Sequence, residues 1–262
     1  MRELLTRMHE WMTRYMKSFY SDDAEVQRGI LIKETHTGYV TSNCVELAKA
    51  LRLQRHAVEL AEIIGLFHDV GRFRQYSIYK TFNDADSEDH AALSLKVINE
   101  LEFFDELTDD DFKLVKFAIQ NHNKKIIAPT DDARQFLFAK IIRDADKLDI
   151  YRVLEPFLAQ ENVDKMPNFI KAGGNLVADI SPDFVENFVT GEQADYTKIR
   201  TNGDRKIVRL MWIYDINFPW TMRKIVERGY IDKIVANLPM DEKIAEGVRR
   251  LMKHVDNKLK EF

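Results

Sequence analysis

Apolar residues recur at helical spacing along most of this chain. Over residues 3 to about 20, Leu4, Leu5, Met8, Met12, Tyr15, Met16 and Phe19 fall on one side, and Arg7, Glu10, Arg14 and Lys17 fall on the other. That period marks an amphipathic helix. Ser21, followed by Asp22, Asp23 and Glu25, supplies an N-cap and an acidic first turn for a second helix. It runs past His36 towards Leu51, with Gly29 and Gly38 as points open to interruption. A third helix is predicted from Arg55 to Val70, with Val58, Ala61, Ile64 and Gly65 inward. Gly71 is placed as its C-terminal stop, which puts His68 and Asp69 in its last turn.

Between Arg72 and Asp89 the period is lost among Phe73, Tyr76, Tyr79, Phe82, Asn83, Asp84, Asp86 and Ser87. We read this stretch as a long connecting loop, with a short helix around Gln75 to Tyr79 as the alternative. Helices resume at about 88–104, 109–122 and 131–155, the last after the capping signature Pro129-Thr130-Asp131-Asp132. On that last helix Leu137, Ile141, Ala145 and Leu148 define the core side, and Asp149 lies nearer to it than Asp146 does. Further on, Ser181-Pro182-Asp183 opens one helix. Met240-Asp241-Glu242 opens another, whose stripe is Ile244, Val248, Leu251, Met252, Val255 and Leu259. Around Asn202-Gly203, the β-branched residues of Tyr196 to Thr201 and Lys206 to Leu210 allow a hairpin, but the run to Trp212 and Ile216 fits a helix better.

Composition supports the helical reading. Ten glycines and six prolines in 262 residues are about half the ordinary share of roughly 12 %, too few for the turns of a sandwich or barrel. No repeat, low-complexity tract or Gly/Ser/Pro-rich linker interrupts the chain. One helical domain over 1–262 with a C-terminal helical extension is therefore expected. A net charge of −4 without a basic block gives no strong nucleic-acid signal. The apolar run Ile63 to Phe67 is far short of the roughly 18 residues a membrane span needs. A charged N-terminus and the single Cys44 lead to the expectation of a reducing cytoplasm.

The seven histidines stand at 9, 36, 56, 68, 90, 122 and 254; taken singly, each is ordinarily a surface or satisfied core residue. His68-Asp69 differs, because it sets an imidazole beside a carboxylate, a donor mixture suited to zinc, manganese or iron. Leu66-Phe67-His68-Asp69-Val70-Gly71-Arg72 resembles the signature of the HD superfamily of metal-dependent phosphohydrolases. His36, in Thr35-His36-Thr37-Gly38, matches that family's earlier histidine, and Asp146, in Ala145-Asp146-Lys147-Leu148, matches its later aspartate. The resemblance covers roughly residues 30 to 155.

The resemblance implies an all-α HD-domain bundle with its core at about 25–160 and a C-terminal helical extension at about 161–262. It further implies a centre holding one or two divalent transition ions (Mn, Fe, Zn, Ni or Co). His90 and His122 resemble the extra ligands of the two-metal subset, giving His36, His68, Asp69, His90, His122 and Asp146 as the ligand set. Alternatively, His90 is a helix-start residue and His122 a partner of a helix C-terminus. Asp144 and Asp149 are candidates to orient a ligand.

Arg72 stands where two-metal members often carry lysine. It is expected to face the substrate phosphate, with Lys147 as a second catalytic cation and Lys124 as a further substrate contact. Asp69 would bridge two ions. Glu88 and Asp89 are the only suggestions for a general acid. The implied reaction is hydrolysis of a phosphoric ester, a small phosphorylated molecule and foremost a nucleotide, by metal-activated water. No Gly-Tyr-Pro follows His122, which disfavours cyclic dinucleotides. No membrane partner is expected, and homo-oligomerisation is left open. The alternatives are a di-iron oxygenase on the same ligands, or a nucleotide-sensing or partner-binding module with a structural metal.

Overall fold

The computed structural model describes residues 1–159, 179–192, 195 and 198–261. The described residues are helices and their connections, with no β-strand among them, so the fold is all-α. They fall into two compact units, Met1–Asp149 and Ile150–Phe262, where the sequence led us to expect a core at about 25–160 and an extension beyond it.

In the first unit, the apolar stripe of α1 (Arg2–Lys17) buries Leu4, Leu5, Met8, Met12 and Met16. Helix α2 (Ala24–Ala50) is capped by Asp23 rather than Ser21. The Asp23 carboxylate accepts from the N–H groups of Glu25 and Val26 at 2.9 and 3.0 Å and thus satisfies the first free donors. It continues through Gly29 and Gly38 without a break. Helix α3 (Arg55–Phe67) lies against α2 at a close crossing, where a Cβ on Gly65 would stand 2.8 Å from Thr41 Cα.

The end of α3 departs from expectation in a way that matters. The helix stops at Phe67, His68 caps it, and Asp69 turns out of helical geometry at φ −110°, ψ 16° before α4 (Val70–Tyr79) begins. Gly71 therefore sits in the first turn of α4 and is no C-terminal stop. What it permits is contact with α5 (His90–Asn99), since a Cβ there would stand 2.4 Å from Ser94 N. Its N–H donates to Ser94 Oγ at 3.0 Å, and that hydroxyl donates to the His68 carbonyl at 2.8 Å. The interval 72–89 is thus half helix, followed by a 3-10 turn at Asp84–Asp86. The burial of Phe73, Gln75 and Tyr76 holds α4 in place.

Helix α6 (Asp109–Asn121) is capped by Thr108. The Asp132 carboxylate accepts from Arg134 N and Gln135 N at the start of α7 (Ala133–Leu154). The division between the units falls inside α7.

The second unit contains α8 (Pro182–Thr190), α9 (Asn202–Met211), α10 (Pro219–Glu227), α11 (Tyr230–Val235) and α12 (Glu242–Leu259). At Asn202-Gly203 the helical alternative holds. Thr201 and Asp204 form a reciprocal capping box that starts α9; Tyr196 lies outside the described residues. Phe188 of α8 and Gly247 of α12 meet closely, beside the buried stripe Ile244, Leu251 and Val255. Among the described residues no helix is long and apolar enough to cross a membrane.

Candidate metal centre

Five helical segments of the first unit bring six donor side chains together. His36 comes from the middle of α2, His68 from the end of α3, Asp69 from the α3–α4 junction, His90 from the first position of α5, His122 from the residue after α6, and Asp146 from α7. The four histidines and Asp69 are buried, and the Asp146 side chain is 16 % exposed.

Each imidazole is anchored through Nδ1. His68 Nδ1 lies 2.8 Å from the Gly65 carbonyl and His122 Nδ1 lies 2.6 Å from the Ile119 carbonyl. A carbonyl only accepts, so both Nδ1 atoms carry the proton and both Nε2 atoms present a lone pair. His36 Nδ1 faces Asp149 Oδ2 at 2.7 Å and His90 Nδ1 faces Asp84 Oδ2 at 2.5 Å. These carboxylate-to-imidazole contacts fix tautomer and ring orientation, as partners of metal-bound histidines do.

The four Nε2 atoms converge around Asp69, whose two oxygens face different pairs. Oδ2 is 3.7 Å from His36 Nε2 and 3.6 Å from His68 Nε2; Oδ1 is 3.5 Å from His90 Nε2 and 3.6 Å from His122 Nε2. Asp146 Oδ1 closes the first side, 3.1 Å from His36 Nε2 and 3.8 Å from His68 Nε2. On the second side His90 Nε2 and His122 Nε2 are 2.9 Å apart, within hydrogen-bonding distance of each other and close enough for one cation to take both. His36 Nε2, His68 Nε2 and Asp69 Oδ1 are buried without a hydrogen-bond partner. Orphaned acceptors at such depth are costly unless a cation satisfies them. The donor set therefore fits divalent metal, with Asp69 placed between two candidate positions, and the groups His36–His68–Asp146 and His68–Asp69–His122 each gather within ligating reach.

Electrostatics favour the same use for His68 and His90. Burial lowers His68 to about 3, more than Asp69 and Asp146 raise it. Burial, with Arg72, lowers His90 to about 4. Both rings are neutral near pH 7 and can ligate without releasing a proton. Burial also lowers His36, but its contacts with Asp146 and Asp149 leave it above the ordinary value. For Asp69 burial pushes upward, and Lys33, His68, His122 and Arg72 outweigh it, holding the carboxyl well below the usual range. Asp146 is likewise held low, burial being outweighed by His36 and the neighbouring imidazoles.

The expected cations are placed unequally. Arg72 Nη1 donates to Gln75 Oε1, the Phe82 carbonyl and Asp84 Oδ1 at 2.7, 2.6 and 2.9 Å. Its buried Nε has no hydrogen-bond partner and stands 3.6 Å from Asp69 Oδ1. Lys124 is paired with Asp89, and Lys147 follows Asp146 on α7, half-buried. Glu88 is held at the surface by Tyr79 and Lys96, and Asp89 caps α5. Glu88 is thereby held away from the converging donors, whereas Asp89 gathers with Asp84 and His90 in a third group within ligating reach.

Lys33, Gln75 and Asp84 escape sequence reasoning. Lys33 Nζ stands 2.6 Å from Asp69 Oδ2, and Gln75 Nε2 donates to Asp84 Oδ1 at 2.9 Å. The available signal for Lys33 was its position three residues before His36, on the same helical face; Gln75 and Asp84 carried none.

The family model for the HD domain matches residues 34–151, a span that opens just before His36 and closes just after Asp149. No curated protein and no solved structure matches the chain.

Proposed function

Residues 34–151 carry an HD domain, matching the HD superfamily of metal-dependent phosphohydrolases, and from that premise we propose that the protein hydrolyses phosphoric esters of small molecules, nucleotides foremost. The observation that carries the reading is the splitting of Asp69 between two imidazole pairs, whose four Nε2 atoms lie 3.5 to 3.7 Å from its two oxygens. His36, His68, Asp69 and Asp146 would hold one ion, and His90 and His122 with Asp69 a second. Bound divalent ions supply Lewis acidity, activating water and offsetting charge on the phosphoryl oxygens. Arg72 presents its Nε edge beside Asp69, where a guanidinium can stabilise the developing oxyanion. Lys147 and Lys124 add positive charge near Asp146 and Asp89. Phe82, stacked on Tyr76 with centroids 4.4 Å apart, offers an aromatic wall for a base.

Metal analysis and a panel of phosphate esters, run on one purified sample, test this reading. The wild type should hold two equivalents and release phosphate. His68→Ala and Asp69→Ala should lose both metal and hydrolysis, and a His90→Ala, His122→Ala double variant should keep about one equivalent with little activity. Full occupancy in Asp69→Ala would contradict the ligand assignment. A second reading, oxygen chemistry at two irons, is favoured by the excess of imidazole over carboxylate, which also suits iron. Oxygen uptake by the iron-loaded protein without phosphate release would select it.

A further inference from the structure

Lys33 lies on α2 just outside the matched span and one turn before His36. Its side chain is 17 % exposed, against 3 % for Asp69, so its ammonium sits between the buried donors and solvent. Its 2.6 Å contact is with Asp69 Oδ2, the same oxygen that faces His36 and His68. The head group is also 5.5 Å from the centroid of the Phe82 ring, as is Arg72 at 5.9 Å. Lys33 and Arg72 Nε thus approach the two oxygens of one carboxylate, and Phe82 lies close to both cations.

A lysine in that position has two states. Without metal it neutralises a buried carboxylate, which would otherwise be costly to leave unpaired. A divalent cation competes for the same oxygen and repels the ammonium across a short distance. The four-carbon stem lets the head group move while remaining at the rim. There its charge is left to meet whatever anion approaches the ions.

We propose that Lys33 is a phosphoryl-binding residue: it holds Asp69 in the metal-free chain and turns to a phosphoryl oxygen once cations take that carboxylate. This rests on the phosphohydrolase reading above. It adds a cation that neither the family motif nor the matched span contains.

The test uses the full chain as wild type, Lys33→Met and Lys33→Arg, with Mn²⁺ and inorganic phosphate as probes and calorimetric titration as readout. Lys33→Gln replaces the methionine variant if circular dichroism shows that the latter does not fold. Metal-free Lys33→Met should bind Mn²⁺ at least as tightly as wild type, because a competitor for Asp69 is gone. Mn²⁺-loaded Lys33→Met should bind phosphate about 10- to 100-fold more weakly, the worth of one hydrogen bond to a charged group, and Lys33→Arg should recover most of that loss. Unchanged phosphate affinity in loaded Lys33→Met would overturn the proposal and leave the hydrolase reading standing. Loss of Mn²⁺ from the methionine or glutamine variant would overturn it too, since Lys33 would then serve the metal. A loaded wild type that neither binds phosphate nor releases it from any ester would sink both readings together.

Discussion

Asp84 acts through a neighbour. One of its oxygens holds His90 Nδ1 at 2.5 Å, while the other accepts from Arg72 and Gln75 at 2.9 Å each. The Arg72 guanidinium is thereby tied through Asp84 to the orientation of a ligand. Asp84→Ala should let the His90 ring rotate and weaken the ion on the His90–His122 side by about 10- to 100-fold, the usual cost of losing such a partner. The His36–His68–Asp146 side should hold its ion as before. A metal titration showing two undiminished sites would refute the role. The six side chains that converge were named from short motifs resembling those of the HD family, and Asp146 needed that resemblance because helical periodicity pointed to Asp149. Asp149 was visible from its place near the apolar side of α7, and the structure gives it to His36 Nδ1. Asp84 was not, because what it touches is set by packing between α4 and α5 and leaves no trace in local spacing. Lys33 looked like any lysine on a solvated helix face.

At the scale of elements, sequence periodicity found α1, α3 and α12, whose buried faces are apolar, and failed at α4, where a buried residue is polar. Helix α4 was read as loop because its buried set includes Gln75, which donates to Asp84, Ser87 and the Glu88 carbonyl. A polar residue at a core position erases the stripe on which the reading depends. Helix α9 shows the opposite case, a start fixed by capping. Asp204 accepts from Ser181 N and Oγ, Arg200 N and Thr201 N at 2.7 to 3.0 Å and is fully buried. Burial pushes this carboxyl up, but those hydrogen bonds outweigh it and hold it below the ordinary value. A depressed folded-state pKa stabilises the fold above the unfolded value, near 3.9, and the gain is lost as pH falls through the folded value. Asp204→Ala should cost about 2–3 kcal/mol at pH 7. The gap to wild type should narrow below about pH 4. Denaturant midpoints across pH check both statements; a pH-independent gap would mean that the carboxylate charge contributes nothing.

For the whole molecule, the donors are spread from His36 to Asp146, and only the bundle brings them within reach of one another. A site of that kind has no spacing rule, which is why its geometry was not readable even where the motifs named its residues. A metal held by those donors would be a long-range tie among α2, the α3–α4 junction, α5, α6 and α7. An ion that binds the folded chain and not the unfolded one stabilises it by about 2.7 kcal/mol at a hundredfold excess over Kd. Removing it leaves the Nε2 lone pairs and the Asp69 and Asp146 carboxylates facing one another, with Lys33 on Asp69 Oδ2 to offset part of the repulsion. Chelation should therefore raise amide hydrogen exchange in the five ligand-bearing segments by lowering the free energy of their opening. Helices α8 to α12 supply no donor to the centre among the described residues, and their exchange should stay as it was. Hydrogen-exchange mass spectrometry of the loaded and chelated protein separates the outcomes. A change confined to one ligand-bearing segment would show that the ion is held locally and does not clamp the bundle, whereas an equal rise across both units would place its stabilising effect outside the centre built here.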